Sequence, residues 1–313
     1  MDIQIGTSHA CAILDNGGLT CWGNDGVALG RGNDVSLATP LATPIDVGAG
    51  RTAKAVSVGM AFTCAVLDND RIKCWGRGNN TITDVGNGGQ LGNGSTAYVG
   101  NDPGEMGDTL AYAKLGNDPG TSAPWKVKKL IASNAFACAT LANDRLKCWG
   151  QADNSGILGS GNGLAYGAEI VNDDIPFLDL GKDAKTDLAL TVKDFALGHF
   201  HGCALLSNDS IRCWGADNGF GALGRGDRLT IGDEPGEMGD AMIPVALKPG
   251  RKATALYASF GSTCARVDTS TLSCWGRNGQ GLLGIGLPNA APSNAIGDEA
   301  AELGAGTVET ILE

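Results

Sequence analysis

Apolar and polar positions alternate in short bursts along this chain, and one burst recurs. In Cys11-Ala12-Ile13-Leu14-Asp15-Asn16-Gly17-Gly18-Leu19-Thr20-Cys21-Trp22-Gly23, two apolar runs flank a polar centre. Asp, Asn and Gly tolerate the left-handed backbone of tight turns, so the pattern predicts a β-hairpin. It returns at 64–76, 138–150, 203–215 and 264–276, each time closing on Cys-Trp-Gly. A motif at such spacing marks a repeat architecture.

Residues paired across a reversal share a constant index sum. Cys11 and Cys21 are centred on Asn16, so they fall opposite one another on neighbouring strands. The same holds for Cys64 and Cys74, Cys138 and Cys148, Cys203 and Cys213, and Cys264 and Cys274, which account for all ten cysteines. Directly opposed Cβ atoms lie about 4.5–5.5 Å apart, so a little strand closure completes a disulfide. Zinc sites and free thiols are the alternatives. Zinc usually requires closely spaced Cys knuckles and four ligands in one place, which one pair per distant repeat fits poorly.

More than the hairpin repeats. A strand-like run precedes it, as in Ile3-Gln4-Ile5-Gly6, Val56-Ser57-Val58-Gly59 and Phe195-Ala196-Leu197-Gly198. A Gly-rich turn holding Leu-Gly follows it, at Leu29-Gly30, Leu91-Gly92, Leu158-Gly159, Leu223-Gly224 and Leu283-Gly284. Next come a variable acidic loop and an extended piece such as Pro44-Ile45-Asp46-Val47. Three to four short strands per repeat is the content of one propeller blade.

In this order of elements the chain resembles the regulator of chromosome condensation repeat family, in its cysteine-bearing branch found in secreted and surface proteins. The resemblance covers nearly the whole chain. It implies an all-β fold, a β-propeller with one disulfide inside each blade, spanning 1–313 as a single domain. Five blades is the favoured count, and part of a larger six- or seven-bladed ring is the alternative. Residues 304–313 resemble the segment before the second repeat, so they are expected to open a sixth repeat or to act as a closing strand.

Composition narrows the function. Forty-nine glycines in 313 residues with 5% aromatics suit short strands and turns rather than long helices. The net charge of −11 disfavours nucleic-acid backbones and anionic membrane surfaces. No apolar run is long enough for a membrane-spanning helix. Five regular cysteine pairs point to an oxidising compartment, hence to an extracellular or cell-surface protein. Met1-Asp2-Ile3-Gln4-Ile5-Gly6 lacks the basic start and apolar centre of a signal peptide. The two are reconciled if the chain is part of a longer secreted protein. Sequons at Asn79, Asn93 and Asn208 are compatible with glycosylation there.

Candidate chemistry is sparse. His9 and His201 share a repeat position that elsewhere is Phe62, Phe136 and Ser262, which reads as packing or a local hydrogen bond. His199 and His201 alternate along a strand, and a metal there lacks a third ligand. The acidic loops are the sharper candidates. Asp102, Glu105 and Asp108 form one set, and Asp233, Glu237 and Asp240 a near copy. Calcium takes carboxylate and carbonyl oxygens from flexible loops. The alternative is solvated negative turns with no cofactor. Trp22, Trp75, Trp149, Trp214 and Trp275 recur beside the cysteines and read as packing between blades.

The expected function is a non-catalytic interaction module that binds a protein or glycan through its loops. A structural subunit, self-assembling through unpaired end strands, is one alternative. A propeller lyase or hydrolase is the other, though no convergent acid–base pair supports it.

Overall fold

The computed structural model of the chain describes residues 2–79, 88–151, 155–162, 165–167, 175–286, 295–306 and 308–311. Each apolar run of the repeat is a strand, and each polar centre is a turn. The first sheet holds β1 (Asp2–Ile5), β2 (His9–Ile13) and β3 (Leu19–Gly23). The second holds β4 (Ala53–Val58), β5 (Phe62–Leu67) and β6 (Ile72–Gly76), and the third β7 (Val127–Ala132), β8 (Phe136–Leu141) and β9 (Leu146–Gly150). The fourth holds β10 (Val192–Leu197), β11 (His201–Leu206) and β12 (Ile211–Gly215). The fifth holds β13 (Ala255–Ala258), β14 (Ser262–Arg266) and β15 (Thr271–Arg277), with short β16 (Ala295–Ile296) and β17 (Glu309–Ile311) added to β15.

In every sheet the three main strands form an antiparallel meander in chain order. The turn chemistry follows the sequence. Asn69 Oδ1 accepts from the Arg71 N–H, and the next residue, Asp70, sits in the left-handed region at φ 62°. Asn143 with Asp144 and Asn208 with Asp209 repeat the device. In the register this sets, the two cysteines of each hairpin are direct partners. Their Cα atoms are 4.1 Å apart in all five, and all five pairs are disulfides. Each closes a loop of about ten residues, which in the chain-entropy picture contributes roughly 2–3 kcal/mol.

A fourth extended segment borders each hairpin. The N–H groups of Ile45, Ala113 and Val245 donate to the carbonyls of Leu19, Ile72 and Ile211. These acceptors are equivalent residues of three repeats. In the fifth repeat the equivalent Leu272 pairs with Thr310 of β17. Glu309–Ile311, expected to open a sixth repeat or close a ring, therefore lie in the fourth-strand place of the fifth. The segment resembled the start of a repeat because both are short extended runs after glycines.

The chain divides into two compact units. The first unit contains the first three sheets. There β4 packs on β1 and β2, and β7 on β4 and β5. The cystine of the first sheet, Ile13, Val56, Val58 and Trp75 share one core, and the cystine of the second sheet, Leu130, Trp125 and Trp149 another. The second unit contains the fourth and fifth sheets, with β13 packed on β10 and β11. The first sheet differs from its neighbours at its leading strand: Ile5 is 79% exposed, whereas the equivalent Val58 and Ala132 are buried. The expected end-strand self-assembly would draw on this edge.

Candidate binding site

Joints between neighbouring sheets set the geometry of the loops. Thr63 donates its hydroxyl proton to the Ala28 carbonyl at 2.9 Å, and the Trp75 indole N–H donates to the same oxygen at 3.0 Å. Thr63 Oγ1 thus has a lone pair left, and His9 Nε2 lies 2.8 Å from it. This makes His9 the donor and fixes the proton on Nε2. Trp149 repeats the bond to Gln90. In the second unit Trp214 and Trp275 donate to Ile157 and Ala222, and His201 Nε2 meets Thr263 at 2.8 Å. Trp75, Trp149, Trp214 and Trp275 therefore pack between blades and also tie their sheets to the Leu-Gly turn of the preceding repeat, whereas Trp22 of the first sheet is half-buried. Gly30 is required there: it adopts φ 63°, and a Cβ would lie 2.6 Å from Trp75 Nε1.

Burial lowers His9 and His201 to about 4, so both rings are neutral at pH 7. His199 stacks on Phe260 with ring centroids 4.7 Å apart. It does not join His201, so the two rings serve different partners.

Carboxylates of the acidic loops brace the loop backbone. Glu105 Oε2 accepts N–H bonds from Gly100, Asn101 and Asp102 at 2.8–3.1 Å. Glu237 Oε2 does the same for Gly232 and Glu234, and Glu302 for Gly297. Asp108 Oδ1 accepts from Ala49, and Asp240 Oδ1 from Lys182. Asp102 accepts from the Asn101 amide. Burial raises the Asp233 carboxyl, with Glu237 nearby as a further cause. Among the described residues no three His, Cys, Asp or Glu side chains converge on a metal-sized space. The loop backbone already supplies the positive partners, as N–H groups that a sequence does not display.

The sequons are also turn residues. Asn208 Oδ1 accepts from the N–H and hydroxyl of Ser210, and Asn93 Oδ1 from the Ser95 N–H. Asn79 bridges Gly88, with a buried amide oxygen.

Sequence reasoning missed the lysine before the second cysteine. Lys73 is buried, and its Nζ donates to Val47 O at 3.0 Å and Gly107 O at 2.8 Å. Lys147 donates to Leu115 O at 2.7 Å. Arg212 donates to Leu180 O and Gly239 O at 2.6 and 2.7 Å. Each cation gathers the carbonyls of loops some 30 residues away, so the signal was only a recurring Lys or Arg at one repeat position.

Among the described residues, the first unit holds a cleft of about 1060 Å³. It lies where the fourth segments of the second and third repeats meet, marked by the bridges Lys73–Tyr112 and Lys147–Phe177. Arg71, Tyr112, Lys114, Trp125, Lys147 and Phe177 line it. Trp125 and Phe177 meet edge to face at 5.6 Å. The Arg71 guanidinium lies 3.6 Å over the Tyr112 ring, Arg145 4.3 Å over Phe177 and Lys147 4.5 Å over it. Asn69 fixes the Tyr112 hydroxyl at 3.1 Å.

Disulfide-braced antiparallel sheets joined through buried tryptophans define a propeller-type repeat protein. Residues 2–27 and 192–222 match the family model of the Regulator of chromosome condensation (RCC1) repeat. The chain is an RCC1-like repeat protein. It is 25% identical over 285 residues to the RCC1 domain-containing protein RUG3, mitochondrial, of Arabidopsis thaliana, covering 90% of this chain and 54% of that one. Human WBSCR16 superposes with a TM-score of 0.62 at 19% identity, over 89% of this chain and 62% of that one. Prp20p of Saccharomyces cerevisiae, described with its binding to Gsp1p and histones, gives 0.60 at 18% identity, over 93% and 60%. The likeness to these two structures is one of fold. The chain spans little more than half the length of its curated relative.

These relatives overturn the expected extracellular or cell-surface location. RUG3 is mitochondrial by name, and Prp20p binds histones; both act inside the cell. The cysteine pairs misled for a physical reason. Nearly all the half-cystines are sealed within the sheets. A buried cystine is reached by a reductant only when its blade opens, so its presence does not identify the compartment around the folded protein.

Proposed function

We propose that the chain is a non-catalytic binding module that holds a partner protein in the cleft of its first unit. The cleft carries the reading. It is an opening of about 1060 Å³ with aromatic walls, set between rigid disulfide-braced sheets, and its lining comes from loops and strand ends. Variable loops on a fixed scaffold are the usual place for recognition. Prp20p, which shares the fold, is described with its binding to two kinds of protein, and that precedent supports a protein ligand here.

Proximity labelling with the full chain, followed by calorimetry on each enriched protein after purification, tests the reading. It predicts at least one purified partner with a Kd in the micromolar range or tighter. That binding falls at least about tenfold when exposed Asn117 at the cleft is enlarged by Asn117→Trp. Purified partners indifferent to this change, or turnover of a small molecule by the chain itself, would contradict it.

A further inference from the structure

The charge of the cleft is opposite to that of the chain. The whole sequence carries −11, yet Arg71, Lys114 and Lys147 line this opening, and no carboxylate does among the described residues. Arg71 and Arg145 form no ion pair with any described residue. Both guanidinium carbons sit over aromatic rings, Arg71 over Tyr112 at 3.6 Å and Arg145 over Phe177 at 4.3 Å from the centroid. Stacking uses the face of a guanidinium and leaves its N–H edge in the ring plane, the edge that forks a carboxylate. It also fixes the side chain beforehand, so less freedom is lost on binding. The aromatic lining, with Trp125 and the rings of Pro124 and Pro176, suits apolar side chains between the acidic ones.

We propose that the cleft binds an acidic peptide segment of a partner protein, with carboxylates on Arg71 and Lys114 and an apolar side chain on the Trp125–Phe177 pair. The inference rests on the binding-module reading and names its ligand. A nucleic acid fits less well. A long polyanion running out of the cleft would cross a chain of strong net negative charge, while a short acidic segment needs only the local cations.

The test is fluorescence anisotropy of a fluorescein-labelled decapeptide of Asp and Glu with one central Leu, titrated with the full chain at low salt. Binding is expected, weakened at least about tenfold by Arg71→Glu with Lys114→Glu, and also by Arg71→Gln alone to a smaller degree. Arg251→Glu, on the second unit, leaves it unchanged. Far-UV circular dichroism of each variant guards against misfolding, and the milder Arg71→Gln keeps the test open if the double reversal fails to fold. No binding, equal binding of a Lys-rich decapeptide, or indifference to the Arg71 changes would overturn the proposal. Tighter binding of a single-stranded oligonucleotide at the same residues would also overturn it. A protein partner that binds in the cleft while the acidic peptide does not would leave the module reading standing and remove only this one.

Discussion

His9 and Thr63 show how single residues hold neighbouring repeats together. Thr63 passes its proton to Ala28 and receives one from His9, so the pair works only as a pair. In the second repeat the histidine position is Phe62, and the third repeat answers with Ala137; both lie in apolar core. The pairing makes stability depend on pH. An unfolded imidazole titrates near 6.5, while His9 and His201 are lowered to about 4 by burial. As pH falls, the unfolded chain takes the protons first. The histidine contribution is complete above about 6.5, declines between 6.5 and 4, and is gone below, at about 3 kcal/mol per ring. Asp209, held down to about 2 by Lys193 and Lys252, acts at lower pH and outside this window. Urea midpoints measured from pH 7 to 4 should therefore drop. In the double variant His9→Phe with Thr63→Ala, which copies the Phe62–Ala137 arrangement, about a third to a half of the histidine-dependent slope should disappear, since burial lowers His199 as well as His201. An unchanged slope would mean that His9 is not neutral in the folded protein.

At the scale of the element, the buried cation on the last hairpin strand organises loops. Lys73 holds the carbonyls of Val47 and Gly107; in Lys73→Met the Val47 carbonyl loses this partner, while Gly107 O keeps the Leu110 N–H. Leaving one buried carbonyl unpaired costs about 1–3 kcal/mol, against less than about 0.5 for Lys114→Met on the cleft surface. Urea unfolding of the two variants checks this, and equal effects would refute the role. Here the limit of sequence reading is visible. The hairpins and their cystines were legible because the pairing partners lie ten residues apart, within one local reversal. The role of Lys73 was not, because its acceptors lie in loops 26 and 34 residues distant. Glu105 and Glu237 were noticed, but as metal ligands. In the structure they accept from backbone N–H groups, which every residue except proline carries, so spacing alone does not reveal these bonds.

At the scale of the whole molecule, the chain repeats one solution five times and varies what lies between. The repeat, the all-β fold and the family were legible because they recur. The cleft was not, because it forms where Tyr112 and Phe177, 65 positions apart, come to border one opening. The location was misread, since paired cysteines report a buried brace and not a surrounding. That brace, one per sheet and never between sheets, underlies the rigid joints and the fixed walls of the cleft. Alkylation of the native protein followed by non-reducing peptide mapping tests it most directly. The account predicts no alkylated cysteine and five linkages, Cys11–Cys21, Cys64–Cys74, Cys138–Cys148, Cys203–Cys213 and Cys264–Cys274. A linkage joining two repeats, or a cysteine that reacts without reductant, would contradict it.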